Sequence, residues 1–242
     1  MKRLTITTLL AVALLSGCSS KEEVIPDVPP SNLYATAQTA LQSGNWTSAI
    51  EQLEALDSRY PFGAYSDQVQ LDLIYAYYKS DDLALGEATI ERFLRLNPDH
   101  PQADWVVYMR GLTHMAQDRS FMHDMFNINR FDRDPTPSRQ AFTDFKYLLE
   151  RYPESEYGAD AKARMIFLKN RLANYDLATA DFYVRREAWI AAINRCQQVQ
   201  RLYPDTEAAR ESLKLEKTAY EKLNLQKEVE RTEKMMKLNP AK

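Results

Sequence analysis

An all-α chain, a solenoid of about five stacked helix–turn–helix repeats, is what the sequence predicts, on three observations. A proline closes a helical pattern five times, at Tyr60-Pro61, Asn97-Pro98, Tyr152-Pro153, Tyr203-Pro204 and Asn239-Pro240. A small residue stands twelve positions before four of these prolines, at Ala49, Gly86, Ala141 and Ala192, while Glu228 holds the fifth place. Between them apolar residues recur at three- and four-residue spacing, as in Trp46, Ala49, Ile50, Leu53 and Leu56, which is one face of a helix. The small residue lets two helices approach closely. The proline ends the second helix, because it has no N–H and biases the residue before it away from helix. Six glycines among 242 residues also favour helix over sheet.

The prolines are 37, 55, 51 and 36 residues apart. This fits the ~34-residue tetratricopeptide (TPR) period, with insertions of roughly 20 residues in two repeats. The predicted architecture is a right-handed superhelix of TPR units, each burying its apolar face on its neighbours. The chain divides into a leader over 1–17, a tether over 18–31, an N-terminal TPR half over 32–137 and a C-terminal TPR half over 138–242. The first insertion occupies about 118–137.

The leader begins with Lys2 and Arg3, and Leu4 to Leu15 form an apolar run too short to span a bilayer comfortably. Leu15-Ser16-Gly17-Cys18 then has the form of a bacterial lipoprotein box, against the alternative of an ordinary signal peptide with a chance cysteine. The implied product starts at Cys18, carrying N-acyl diglyceride and palmitate, and several acyl chains anchor a protein stably. Ser19 rather than Asp follows, which by resemblance to the bacterial sorting pattern implies the outer membrane. Residues 19–31 hold charges and three prolines, read as an extended tether reaching about 40 Å.

Asn32 to Gln42 form the expected first helix, Gly44-Asn45 break it, and Thr47 or Ser48 caps the second. The turn after it carries Tyr60, Phe62 and Tyr65, more aromatic than an ordinary inter-repeat turn. Two readings stay open: the rings staple adjacent repeats, or they line an exposed apolar groove. Gln68 to Lys79, with Tyr75, Tyr77 and Tyr78, is apolar on more than one face and reads as central. Its tyrosines, Tyr75 among them, make the inner surface of the first repeats a place for a peptide with aromatic side chains, so Tyr75 joins Tyr60, Phe62, Tyr65 and Tyr183 as a candidate for that groove. Asp104 to Gln117 form the next helix, and the insertion after it carries Phe121, Met122, Met125 and Phe126, which either fold back on the array or touch a partner. Ala159 to Leu172 and Leu177 to Arg186 are read as two segments around the second insertion, with Tyr175, Phe182 and Tyr183 beside cations. Arg185, Arg186 and Arg195 either meet a partner's carboxylate or sit on a solvated face with local ion pairs. Cys196 lies on an apolar helix face and reads as a buried structural thiol. The densely charged stretch from Ala208 to Lys237 reads as exposed helices that cap the solenoid.

A formal net charge of −3 and the lack of any nucleic-acid motif exclude nucleic acid as the main partner. His100, His114 and His123 form no metal-ligand spacing, and no nucleophile elbow or phosphate-binding glycine loop occurs. No catalytic residue, metal or cofactor is expected.

The lipoprotein box, the tether, the TPR units and a set of local runs together carry a resemblance. The runs are Gly44-Asn45-Trp46, Arg59-Tyr60-Pro61-Phe62-Gly63, Gln68 through Tyr78, Arg95-Leu96-Asn97-Pro98, Tyr108-Met109-Arg110-Gly111-Leu112, Asp132-Arg133-Asp134-Pro135 and Ala188 through Arg195. The chain resembles the BamD family, TPR lipoproteins of the outer-membrane β-barrel assembly machine. The match is densest from 34 to 112 and weakest after 213. The resemblance implies a non-enzymatic periplasmic scaffold in complex with BamA, BamC and BamE. Its N-terminal groove would receive the C-terminal signal of unfolded barrel proteins, and its C-terminal half would dock a periplasmic domain of BamA. Tyr60, Phe62 and Tyr183 would then face substrate and Arg195 would face BamA. A different TPR lipoprotein adaptor, such as a pilotin for a secretin or pilus component, is the alternative.

Overall fold

The computed structural model describes residues 28–118 and 134–239. Ten helices and no strand lie among the described residues. They pair as α1 (Pro30–Ser43) with α2 (Trp46–Arg59), α3 (Ser66–Ser80) with α4 (Leu83–Leu96), and α5 (Ala103–Gln117) with α6 (Thr136–Arg151). α7 (Gly158–Arg185) then pairs with α8 (Trp189–Leu202), and α9 (Glu207–Lys222) with α10 (Gln226–Leu238). Each helix packs on the one before and the one after it; α3 also reaches α5, and α7 reaches α9. Packing confined in this way to near neighbours is the mark of a solenoid.

The repeat ends follow one rule. The second helix of each pair stops at the residue before proline: Tyr60, Asn97, Tyr152, Tyr203 and Asn239 have φ between −134° and −125° and ψ between 50° and 67°. That conformation is what a following proline leaves open. In the first four, the capping N–H donates to the carbonyl of Leu56, Phe93, Leu148 or Val199. Those four side chains are at most 2% exposed, so one residue per repeat closes the helix and fills the core. Ala49, Ala141 and Ala192 are fully buried, as close helix approach requires. The turn within a pair uses a left-handed residue: Gly44 (φ 73°), Asp81 (φ 67°), Glu187 (φ 58°) and Asn224 (φ 59°). Only the first is glycine, for which that region carries no steric cost.

Three expectations need correction. α1 starts at Pro30, not Asn32, so the tether ends sooner; proline suits the first helical turn, where its missing N–H is not needed. Asn45, not Thr47 or Ser48, caps α2, its side chain accepting from the Ser48 N–H. α7 is one unbroken helix of 28 residues where two segments around an insertion were expected. Asn170 and Asn174 look like breakers, but each side-chain amide donates to the carbonyl four residues earlier and leaves the helix intact.

α7 also runs through three hydrophobic clusters. Ala161 and Leu168 join Phe93, Val106 and Phe145; Ala173 meets Val199 and Ala209; Tyr183 and Val184 pack on Ala192 and Tyr220. α10 buries only Val229 and Thr232, and otherwise presents a polar face at the end of the stack. None of the described helices is long and apolar enough to cross a membrane. Cys18 lies outside the described residues, as do Phe121, Met122, Met125 and Phe126 of the first insertion.

Candidate functional site

The aromatic turn after α2 builds a hollow. Leu56 from α2, Val69 from α3, Tyr60 and Tyr65 from the turn and Pro30 from α1 enclose about 120 Å³. This approaches the ~150 Å³ of an apolar cavity that takes a benzene ring. Tyr65 is fixed by stacking on Tyr34, with ring centroids 4.7 Å apart. Tyr34 in turn donates from its hydroxyl to Asp72, which also accepts from Gln38 and Gln68. Burial, then the charge of Asp72, pushes the Tyr34 hydroxyl up to about 12. Burial raises the Asp72 carboxyl too, against the pull of the three donors. Asp57 edges the hollow and is paired with Arg92 at 2.7 Å. Phe62, on the same turn, is 98% exposed: a whole phenyl ring in water beside an apolar hollow.

The other aromatic candidates lie elsewhere. Tyr75 meets Trp46 edge-on at 5.8 Å, and Lys79 sits over the Trp46 ring at 5.6 Å, apart from the residues of the hollow. Tyr183 belongs to the C-terminal cluster with Trp189, Ala192 and Tyr220, so the two TPR halves do not bring it to Tyr60. Among the arginines, Arg185 pairs with Asp181 one turn earlier at 3.0 Å. Arg186 lies over the Phe182 ring at 5.3 Å. Arg195 donates to Gln198 and acts electrostatically on the buried Asp176 of α7, whose carboxyl burial raises and whose nearer cation is Arg139. All three therefore have partners within the chain. Cys196 is fully buried, and burial followed by the charge of Glu216 pushes its thiol up to about 12, which makes it inert.

A polar basin of about 420 Å³ between α4, α5 and α6 was not foreseen. His114 bridges Asp144 (Nδ1 to Oδ2, 2.5 Å) and Glu87 (Nε2 to Oε1, 3.3 Å). Arg110 bridges Asp144 at 2.7 Å and Glu91 at 2.9 Å. Burial pulls the His114 pKa down, but Asp144 and Glu87 outweigh it and hold the ring's pKa above its ordinary value. Burial pulls Arg110 down as well, and Asp144 and Glu91 outweigh it and raise the guanidinium. The trace in the sequence is Arg110 and His114, four apart on a largely apolar helix; their acidic partners stand on other helices. Among the described residues no group of three His, Cys, Asp or Glu is placed to hold a metal.

Helix pairs in file, with hollows lined by side chains from successive repeats, define a TPR-like scaffold. Comparison with known proteins places it further. The model of the outer membrane lipoprotein family YfiO matches residues 26–235, and the chain belongs to that family. It is 70% identical over 240 residues to the outer membrane protein assembly factor BamD of Vibrio cholerae, covering 99% of this chain and 100% of that protein. It is 40% identical over 229 residues to BamD of Neisseria meningitidis serogroup A, covering 92% and 85%. It is 39% identical over 243 residues to BamD of Haemophilus influenzae, covering 100% and 93%. The chain is thus an outer membrane lipoprotein of a non-enzymatic scaffold family that uses no cofactor.

Proposed function

We propose that this lipoprotein is a scaffold of outer-membrane protein assembly, tethered by lipid on Cys18 and working on the periplasmic side. The first two repeats receive the C-terminal segment of an unfolded β-barrel protein. The C-terminal half, with Arg185, Arg186 and Arg195, docks a periplasmic domain of BamA, and BamC and BamE complete the complex. The relatives' names support the assembly role. The observation that carries the client site is the apolar hollow of about 120 Å³ lined by Tyr60 and Tyr65, with Phe62 exposed beside it. A barrel strand that ends in an aromatic residue supplies one ring of that size, and Phe62 offers it a lid. Arg92, held at the edge by Asp57, supplies a cation for the terminal carboxylate. Tyr75 and Tyr183 stand outside the hollow and are assigned no client contact.

The test is titration of a fluorescent peptide ending in Phe. Interface aromatics are commonly worth about 1–2 kcal/mol each. Tyr60→Ala with Phe62→Ala should therefore weaken binding at least tenfold, and an amidated C terminus should weaken it too. Unchanged affinity in the double variant removes the client site from this hollow. Co-purification from membranes tests the docking role, and recovery of a secretin with no BamA-like protein would overturn it.

A further inference from the structure

A third hollow, of about 310 Å³, lies between α8, α9 and α10. Its polar centre is Glu216, which is only 4% exposed. Glu216 Oε1 accepts from Gln197 Nε2 at 3.1 Å and from the Tyr220 hydroxyl at 3.3 Å; Oε2 accepts from Gln200 Nε2 at 2.8 Å. All three donors are neutral. Of the cations on α9 and α10, Arg210 pairs with Glu207, Lys214 with Glu211, Lys217 with Glu221 and Glu233, and Arg231, which itself lines the hollow, with Glu228 at 3.8 Å. Among the described residues no cation pairs with Glu216. A buried carboxylate is costly unless a cation accompanies it.

The geometry leaves capacity for one. A carboxylate has about four lone-pair sites, and three are used here. Gln197 and Gln200 donate through nitrogen, and each keeps a carbonyl oxygen as acceptor. Glu228 lines the same hollow and adds a second carboxylate, whose ion-pair partner is the exposed Arg231 at 3.8 Å. The negative potential is felt by its surroundings: burial first, then the charge of Glu216, raises the Tyr220 hydroxyl. At ~30 Å³ per water the hollow has room for roughly ten waters, or for a side-chain head group with its stem.

We propose that this hollow docks an arginine side chain presented by a protein partner, with Glu216 as its buried counter-ion and Glu228 as the second acceptor. Arginine fits better than lysine, because a planar fork of five N–H groups meets several oxygens at once. The site is separate from the client hollow of the first repeats. It rests on the scaffold reading only for the partner that supplies the arginine.

The test uses the full-length lipoprotein in detergent, L-argininamide as the probe and L-citrullinamide as its uncharged-head isostere, followed by titration calorimetry. Saturable millimolar binding of L-argininamide is expected, with binding of L-citrullinamide at least tenfold weaker. Glu216→Gln should weaken the first about tenfold and Glu228→Gln several-fold. Absence of saturable binding to the parent protein overturns the proposal, and so does undiminished binding in a Glu216→Gln variant of parental helicity. Should Glu216→Gln fail to fold, Glu228→Gln, at a half-buried position on the rim, decides: full parental affinity there overturns the assignment. Client-peptide affinity should be the same in parent and Glu228→Gln, so failure here leaves the first hollow standing, and the converse holds.

Discussion

Gly111→Ala tests whether close packing or helix propensity governs the centre of the stack. Gly111 sits mid-way along α5, where alanine is favoured over glycine by about 1 kcal/mol. A Cβ there would lie 2.5, 2.7 and 2.9 Å from three atoms of the Phe145 ring. Phe145 is fully buried and packed among Val106, Leu112 and Leu148, so its ring has nowhere to retreat. Overpacking of this kind costs about 1–3 kcal/mol, and contacts so far inside van der Waals distance put the case at the upper end. The net expectation is a loss of about 1–2 kcal/mol. For a chain of 150–250 residues each kcal/mol moves the melting temperature by roughly 2–4 °C, so a fall of about 2–8 °C is expected. Gly86→Ala is the control: its Cβ would meet only Tyr77 Cβ, at an ordinary 3.4 Å, and the propensity gain should survive. Thermal melts followed by circular dichroism at 222 nm read both. Adding Phe145→Leu to Gly111→Ala should restore part of the loss, although Phe145→Leu alone destabilises. A Gly111→Ala protein that melts at or above the parent would refute the reasoning.

Three further outcomes are expected. The folded state raises the His114 pKa, so the stability this group contributes is fully present below its ordinary value of about 6.5 and is lost as pH rises through the raised value. Urea midpoints should fall over that window, and His114→Gln, facing Asp144, Glu87 and Arg110, should flatten the fall; an unchanged slope in the variant assigns it to other groups. Glu187 holds φ 58° at the turn between α7 and α8, a region costing a non-glycine residue about 1–2 kcal/mol, so Glu187→Gly should raise stability by up to about 1 kcal/mol in urea melts. Cys18→Ala should release the protein from outer-membrane fractions or leave it unprocessed with its leader, and a processed chain still held at the membrane would disprove the lipid anchor.

The repeat boundaries were legible because each is enforced locally. A proline fixes the residue before it, and a buried alanine or glycine marks where helices touch; both are visible as letters at fixed spacing. Between Leu172 and Leu177 the same local reading misleads: Asn174 and Asp176 are poor helix formers, and only tertiary contact shows Asp176 buried beside Arg139. Tyr60 and Tyr65 could be placed together because one short turn carries both. Tyr75 and Tyr183 could not, since which face of a repeat meets which hollow depends on how successive pairs are rotated. The His114–Asp144 pair spans 30 residues and two helices, and no local spacing encodes it. Glu216 looked like one more charge on a solvated helix until α8 and α10 closed over it.

α7 bears on mechanics. At about 1.5 Å per residue its 28 residues make a rod of roughly 42 Å, about twice the length of its neighbours. Because that rod is keyed into three successive clusters, a push on α6 at one end cannot be absorbed by a joint before it reaches α9. Whatever bending the array permits must fall at the loops outside the rod, and the two ends of α7 move as a single lever.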